Sequence, residues 1–260
     1  MGAVDDGTVL PGRYVADPVL PPGTLRNQVG IVEHAVRLAA RIEEVQVRGR
    51  APLIIGGDCS LLVGTGLAMS RRGRYGLVHV DGHTDFRHPG NSDECASLAG
   101  EDLAAAVGLH WPAVSNIERR SPYVAAKDVV HVGCRSDDEH LREVRETIAR
   151  TIPASELQEV GAESAAQQIR EVVTRHGISG YWLHVDLDVL DPSHLPAVDS
   201  PSPGGLSPAE LTALLSALAP DAAGAQVTVF DPDLDPDGSY ASLVADVVVE
   251  GLGVLGSAKS

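Results

Sequence analysis

Apolar residues recur at helical spacing from Leu25 to about Arg48, with Val29, Val32, Ala35, Val36 and Ala39 three or four apart, and the short apolar run Pro52-Leu53-Ile54-Ile55 follows. This change of period marks a helix feeding a buried strand. Further apolar runs stand at Gly76–Val80, Val129–Val132, Gly180–Val185 and Gln226–Phe230, each separated from the last by enough chain for a helix. Alternation of that kind predicts an α/β fold, a mainly parallel sheet with helices on both faces. Ser207-Pro208-Ala209-Glu210 carries a capping box with proline at the first helical position, so a helix is expected to start there. Residues 1–24, ending in Leu20-Pro21-Pro22-Gly23, hold no sustained period and read as an extended arm before a single domain over 25–260.

Composition narrows the class. Aromatics are 3% of the 260 residues and hydrophobics 43%, so aliphatic side chains must fill the core. A formal charge of −16 without a dense Lys/Arg run argues against a nucleic-acid partner, because neutralising phosphates needs clustered cations. Cys59, Cys95 and Cys134 form no CxxC pair, which suits a reducing compartment. With no signal-like start and no apolar stretch of spanning length, the expected location is cytoplasmic, away from any membrane.

Part of the negative charge is gathered where chemistry would use it. In Asp81-Gly82-His83-Thr84-Asp85, directly after the run ending at Val80, residues i, i+2 and i+4 of an extended segment share one face, so Asp81, His83 and Asp85 can point into one space. The segment His184-Val185-Asp186-Leu187-Asp188 repeats the logic with Asp186 and Asp188. Open α/β sheets bind ligands beyond the carboxyl ends of their strands, where both segments fall. Four carboxylates and an imidazole converging in a cleft call for cations to offset repulsion and desolvation. Their mixed donors suit Mn²⁺, Zn²⁺ or Fe²⁺ better than Mg²⁺ or Ca²⁺. The bland alternative is solvated loop aspartates at even spacing. Gly56-Gly57-Asp58-Cys59-Ser60 ends another strand, where Cys59 reads either as a ligand or as a small buried residue. Asp233-Leu234-Asp235-Pro236-Asp237-Gly238 opens like a calcium loop, but Val244 stands where the bidentate carboxylate belongs, so a turn is expected. His79, His131 and His184 read as strand histidines of the core, His184 being also a neighbour of the Asp186 pair, while His34, His110, His140, His176 and His194 read as helix-surface or loop residues.

Together, GGDCS at 56–60, DGHTDF at 81–86 and HVDLDVLDP at 184–192 followed by PAVDSPSPGGLS resemble the signature blocks of the ureohydrolase superfamily, which includes arginase, agmatinase and formimidoylglutamase. The resemblance runs from about Leu25 to the C-terminus, with the family's N-terminal strand and arm expected to be shortened or missing. It implies a three-layer α/β/α domain of the arginase and deacetylase type, a homo-oligomer, and a small-molecule substrate. It also implies two Mn²⁺ ions: a deeper one held by Cys59, Asp81, Asp85 and Asp186, and an outer one held by Asp81, His83, Asp186 and Asp188. The implied reaction is hydrolysis of a linear C–N bond in a guanidino compound by a metal-activated hydroxide, which Asp85 would orient.

Three positions depart from the family pattern. Cys59 stands for a histidine, and a soft thiol favours Zn²⁺ or a single-ion site. Ala99 aligns with the family's proton-shuttling histidine, which leaves Glu101, His88 or water to protonate the leaving group. Val229 aligns with the glutamate that grips the guanidinium. Asp138 is expected at the substrate's amino end, and Ser200 replaces a threonine near the metals. Two further readings stay open: a one-metal deacylase of the same fold, and an inactive metal-binding homologue.

Overall fold

The computed structural model describes residues 2–16 and 20–259. The apolar runs form β1 (Leu53–Ile55), β2 (Gly76–Val80), β3 (Val129–Val132), β5 (Tyr181–Asp186) and β6 (Gly224–Thr228), joined by an unforeseen edge strand β4 (Arg150–Ile152). Among the described residues they make one six-stranded sheet in the order β1-β6-β5-β2-β3-β4, with every pairing parallel. Strands β2, β3, β5 and β6 are buried along their whole length; the first three are apolar runs interrupted by histidine, with Asp186 closing β5, and β6 is interrupted by Gln226, as expected for strands covered on both faces. β4 is short and carries Arg150 and Thr151, so its sequence lacks that signal.

The helices are α1 (Gln28–Val47), α2 (Leu61–Arg72), α3 (Asp102–Ala106), α4 (Pro112–Ser115), α5 (Leu141–Thr147), α6 (Ala154–Val160), α7 (Ala162–Val173), α8 (Pro208–Leu218) and α9 (Ser239–Leu252). Strand pleating sorts them into two outer layers. Val78, Val80, Val130, Val132, Leu183, Val185, Ala225 and Val227 face the side covered by α7, α8 and α9. Leu77, Val129 and Trp182 face the side covered by α1, α2 and α3. The capping box at Ser207 is present, with its hydroxyl accepting from the Glu210 amide and the Glu210 carboxylate accepting from the Ser207 amide.

Two boundaries differ from the sequence reading. α1 begins at Gln28 because Asn27 sits in the left-handed region at φ 56°, where its side chain pairs with both backbone groups of Val15. β6 ends two residues early: Val229 adopts φ 77°, leaves the ladder and donates its amide to the Gly57 carbonyl. The strand instead starts at Gly224, where a Cβ would stand 2.3 Å from the buried Trp182 ring. Residues 2–16 lie along α1, held by Arg37 on the Leu10 carbonyl and by Arg48 and Arg50 on the Asp6 carboxylate. Met1, residues 17–19 of the expected arm, and Ser260 lie outside the described residues. Among the described residues no helix is long and apolar enough to cross a membrane.

Candidate metal centre

The site grows out of the carboxyl ends of β1, β2, β5 and β6. Asp81 follows the last residue of β2 and Asp186 is the last of β5, so both point to the same side of the sheet as His79 and His184, two residues earlier. The Asp188 amide donates to Asp186 Oδ1 at 2.8 Å, turning the chain into a short helical turn at Leu187–Val189. That turn delivers the Asp188 carboxylate to the loop after β2, where it accepts from Gly82 N at 3.0 Å and faces His83 Nδ1 at 2.8 Å. Gly82 is required there, since a Cβ would meet the Asp188 carbonyl at 2.6 Å and Arg135 at 2.7 Å.

Asp81, His83 and Asp188 each offer a ligand atom within 4.8 Å of the others, and Cys59, Asp81 and Asp85 make a second such group. Asp81 is fully buried, and its Oδ2 has no hydrogen-bond partner. Cys59, at the turn into α2, gives its thiol proton to Asp186 Oδ2 at 2.7 Å and lies 3.2 Å from Thr228 Oγ1. All six metal-ligand residues expected from the sequence therefore converge at one place. Burial first, then repulsion among neighbouring aspartates, pushes the carboxyls of Asp81, Asp85 and Asp186 well above the usual range. Burial followed by the charge of Asp186 raises the Cys59 thiol likewise. Bound cations would offset both the burial and the repulsion of such a cluster. The orphaned Asp81 oxygen and the mixed carboxylate, imidazole and thiol donors fit divalent transition ions.

Above the cluster opens a cleft of about 980 Å³, lined by Cys59, His83, Asp85, Asp186 and Asp188 at its base. Asp58, Asp137, Asp138, Glu139, Asp199 and Asp231 bring further acidity to its walls. Asp138 is fixed by the amide and hydroxyl of Thr84 at 3.0 and 2.6 Å. Ser200 reaches the same cleft with φ 53°, and Ala99 and Val229 line it with apolar surface.

The structure does not bring Glu101 to the cleft. Its carboxylate is buried, accepting from the Ala96 and Ser97 amides at 2.8 and 3.2 Å and meeting His110 Nε2 at 2.7 Å. The carboxylate shapes that loop, and His110 is a core residue rather than the surface one its sequence suggested. His88 is likewise withdrawn, 3.0 Å from Glu143. The Asp233–Gly238 segment is a turn into α9, with Asp235 accepting from the Tyr240 and Ala241 amides.

Two features escaped the sequence reading. Arg135, 7% exposed, threads its guanidinium behind the site and donates to the carbonyls of Gly133, Asp188, Val189, Leu190 and Ser202. Asp102, the first residue of α3, reaches the floor of the cluster beneath Cys59. It meets His79 Nε2 at 3.3 Å, and burial raises its carboxyl to about 7. The histidines it joins are a register effect: His79 pairs laterally with His131 and with His184, and His184 with Gln226. Burial lowers His79 and His184 to about 3. Only the regular spacing of polar residues within apolar strands could have signalled this row.

Comparison with known proteins agrees with this architecture. The Arginase family model matches residues 17–253. The chain belongs to the arginase family. It is 32% identical over 185 residues to the arginase of Bacillus caldovelox, covering 70% of this chain and 61% of that protein. It thus spans about three-fifths of the length of the curated relatives it matches. The solved structure of the Bacillus caldovelox arginase superposes with a TM-score of 0.84 at 29% identity, over 94% of this chain and 83% of that one. Proclavaminate amidino hydrolase from Streptomyces clavuligerus superposes at 0.67 with 26% identity, over 88% and 70% of the two chains. Cys59, Ala99 and Val229, the three positions at which the sequence resemblance implied a departure, all line the cleft.

Proposed function

We infer that this cleft is a metal-dependent amidinohydrolase centre, which hydrolyses a linear C–N bond of a small, cationic guanidino compound with Mn²⁺ as the expected ion. The observation carrying this reading is the convergence of Asp81, His83 and Asp188 on one point, with Asp186 and Asp85 beside them, at the base of an acidic cleft. Asp81, His83, Asp186 and Asp188 would hold the outer ion. Cys59 joins Asp81, Asp85 and Asp186 in the deeper donor set. When bound, the ions supply Lewis acidity and lower the pKa of water to near neutrality.

The chain's own groups do the rest. The carboxylates lining the cleft attract a cation and set its planar head over the cluster. Asp138, immobilised by Thr84, faces the substrate's amino end. Ser200 also lines the cleft and offers a hydroxyl to the substrate. Asp85 lines the base of the cleft, where a carboxylate oxygen can orient the attacking water and hold its proton. With Ala99 in place of an imidazole and Glu101 occupied elsewhere, Asp85 is also the group that returns a proton to the departing amine. Arg135 fixes the carbonyls of Asp188, Val189 and Leu190 and so keeps the Asp188 carboxylate in place.

Urea release by the Mn²⁺-loaded protein across arginine, hydroxyarginine, agmatine, guanidinobutyrate and simple guanidines tests this, with Asp186→Ala as control. Urea, or hydroxyurea from hydroxyarginine, that disappears in the control supports the reading. A folded, metal-loaded protein that releases none makes the chain an inactive metal-binding relative, and release of acetate from acylated amines makes it a deacylase.

A further inference from the structure

The deepest part of the cluster holds donors that the outer and deeper sets above leave unused. Asp102 and His184 are both fully buried, yet Asp102 Oδ2 and His184 Nε2 have no hydrogen-bond partner. They face each other at 3.8 Å, too far for a hydrogen bond. Cys59 Sγ, a carboxylate oxygen of Asp102 and a ring nitrogen of His184 all lie within 4.8 Å of one another. Orphaned buried polar atoms are costly, on the order of 1–3 kcal/mol each, and here two point into one space beside a thiol. Ligand atoms around a tetrahedral zinc-type ion stand about 3.3–3.6 Å apart, and the Asp102–His184 pair at 3.8 Å is close to that spacing.

We propose that Cys59, Asp102 and His184 form the deeper cation position of this protein, taking a thiophilic divalent ion such as zinc or cobalt(II) as thiolate, carboxylate and imidazole ligands. The inference deepens the metal-centre reading by giving the deeper ion Asp102 and His184 as ligands beside Cys59, in place of Asp81, Asp85 and Asp186. The surroundings suit it. His184 Nδ1 lies 2.6 Å from the Gln226 side-chain amide, whose Oε1 also has no partner. With that oxygen turned onto Nδ1–H, Nε2 keeps its lone pair for a cation; a ligating histidine commonly donates its other N–H in this way. The thiol proton now given to Asp186 leaves to solvent as the ion enters, and sulfur stays as thiolate. A Cys/Asp/His set also accounts for a cysteine at position 59: a soft ligand lowers selectivity for Mn²⁺ and raises it for zinc.

Cobalt(II) titrated into the metal-stripped full chain tests the assignment, read by thiolate-to-cobalt charge-transfer absorption in the near ultraviolet and by bound metal in equilibrium dialysis. The expected result is two equivalents, one of them producing the band. Cys59→Ser should abolish the band. Asp102→Asn, which is isosteric, and His184→Gln should each weaken the band-forming equivalent at least tenfold, with far-ultraviolet dichroism confirming the fold. His83→Ala should remove the other equivalent and leave the band. A band of unchanged affinity in both Asp102→Asn and His184→Gln would overturn the proposal, placing the thiolate with Asp81, Asp85 and Asp186 instead. So would a folded wild-type protein without the band. In that case a cobalt equivalent lost in His83→Ala still upholds the outer metal centre, whereas no bound cobalt at all removes that reading too.

Discussion

Replacing Arg135 by leucine takes away the cation that ties three loops together behind the metal cluster. Its guanidinium donates to Asp188 O at 3.0 Å and Leu190 O at 3.4 Å after β5, to Gly133 O at 3.3 Å after β3, and to Ser202 O in the loop before α8. Val189 O keeps a second donor, the Leu206 amide at 2.9 Å, so its loss is the smallest. Each buried acceptor left without a donor costs about 1–3 kcal/mol, partly recovered as water enters. The guanidinium also fills space that glycines leave open, standing 2.7 Å from where a Cβ of Gly82 would be and 2.6 Å from that of Gly205. With four carbonyls losing their donor and part of the cost recovered by water, we expect Arg135→Leu to destabilise by about 3–5 kcal/mol. At about 2–4 °C per kcal/mol for a chain of this size, thermal unfolding of the metal-free protein should shift down by about 10 °C. Arg135→Lys should recover only part, because one ammonium cannot reach carbonyls on several sides. A shift below about 2 °C in the leucine variant would refute the claim that these loops depend on the guanidinium.

Three other outcomes follow from the same geometry. Gly133→Ala should destabilise by about 2–4 kcal/mol, read by urea unfolding, because its Cβ would stand 2.4 Å from Val189 at a backbone φ of 106°. Asp81, Asp85 and Asp186 titrate higher in the fold than in the unfolded chain, so the metal-free protein loses stability as pH rises through the ordinary carboxylate range and beyond. Buried His79 and His184, at about 3, act oppositely, losing stability as pH falls from about 6.5 toward 3. Calorimetry should therefore show a larger Mn²⁺-induced rise in unfolding temperature at pH 7.5 than at pH 5, and equal rises would contradict the carboxylate assignment. Asp138→Asn should raise KM for a substrate with an amino end about tenfold or more while leaving kcat within a few-fold, and a kcat loss at constant KM would place Asp138 elsewhere in the reaction.

The parallel sheet and the ligand cluster were legible because both rest on local chemistry. Strands β2 and β5 announce themselves as apolar runs, which puts Asp81 and Asp186 at their ends; His83 and Asp188 then arrive through tight turns rather than through the extended period of two that the sequence suggested. What was not legible depends on distant parts of the chain. The end of β6 is set by Val229 turning to meet Gly57, more than 170 residues away in sequence. Glu101 looked available as an acid because its partners, the Ala96 and Ser97 amides and His110, come from a loop without periodicity. Asp102 sits beside it in the chain but turns into the cluster, since adjacent residues at a helix start point in different directions. Nothing in the sequence around Arg135 marks it as buried, and only the closure of three loops around it makes it a core residue.

The most direct test of the metal-centre account is the rate of urea release against Mn²⁺ bound per chain, measured from the chelator-stripped protein upward with the guanidino substrates named above. The account predicts no urea from the stripped protein and a rate that rises with occupancy and is abolished again by chelator. Urea formed at the same rate with and without bound metal, or none from a fully loaded and folded chain with any of those substrates, would contradict it.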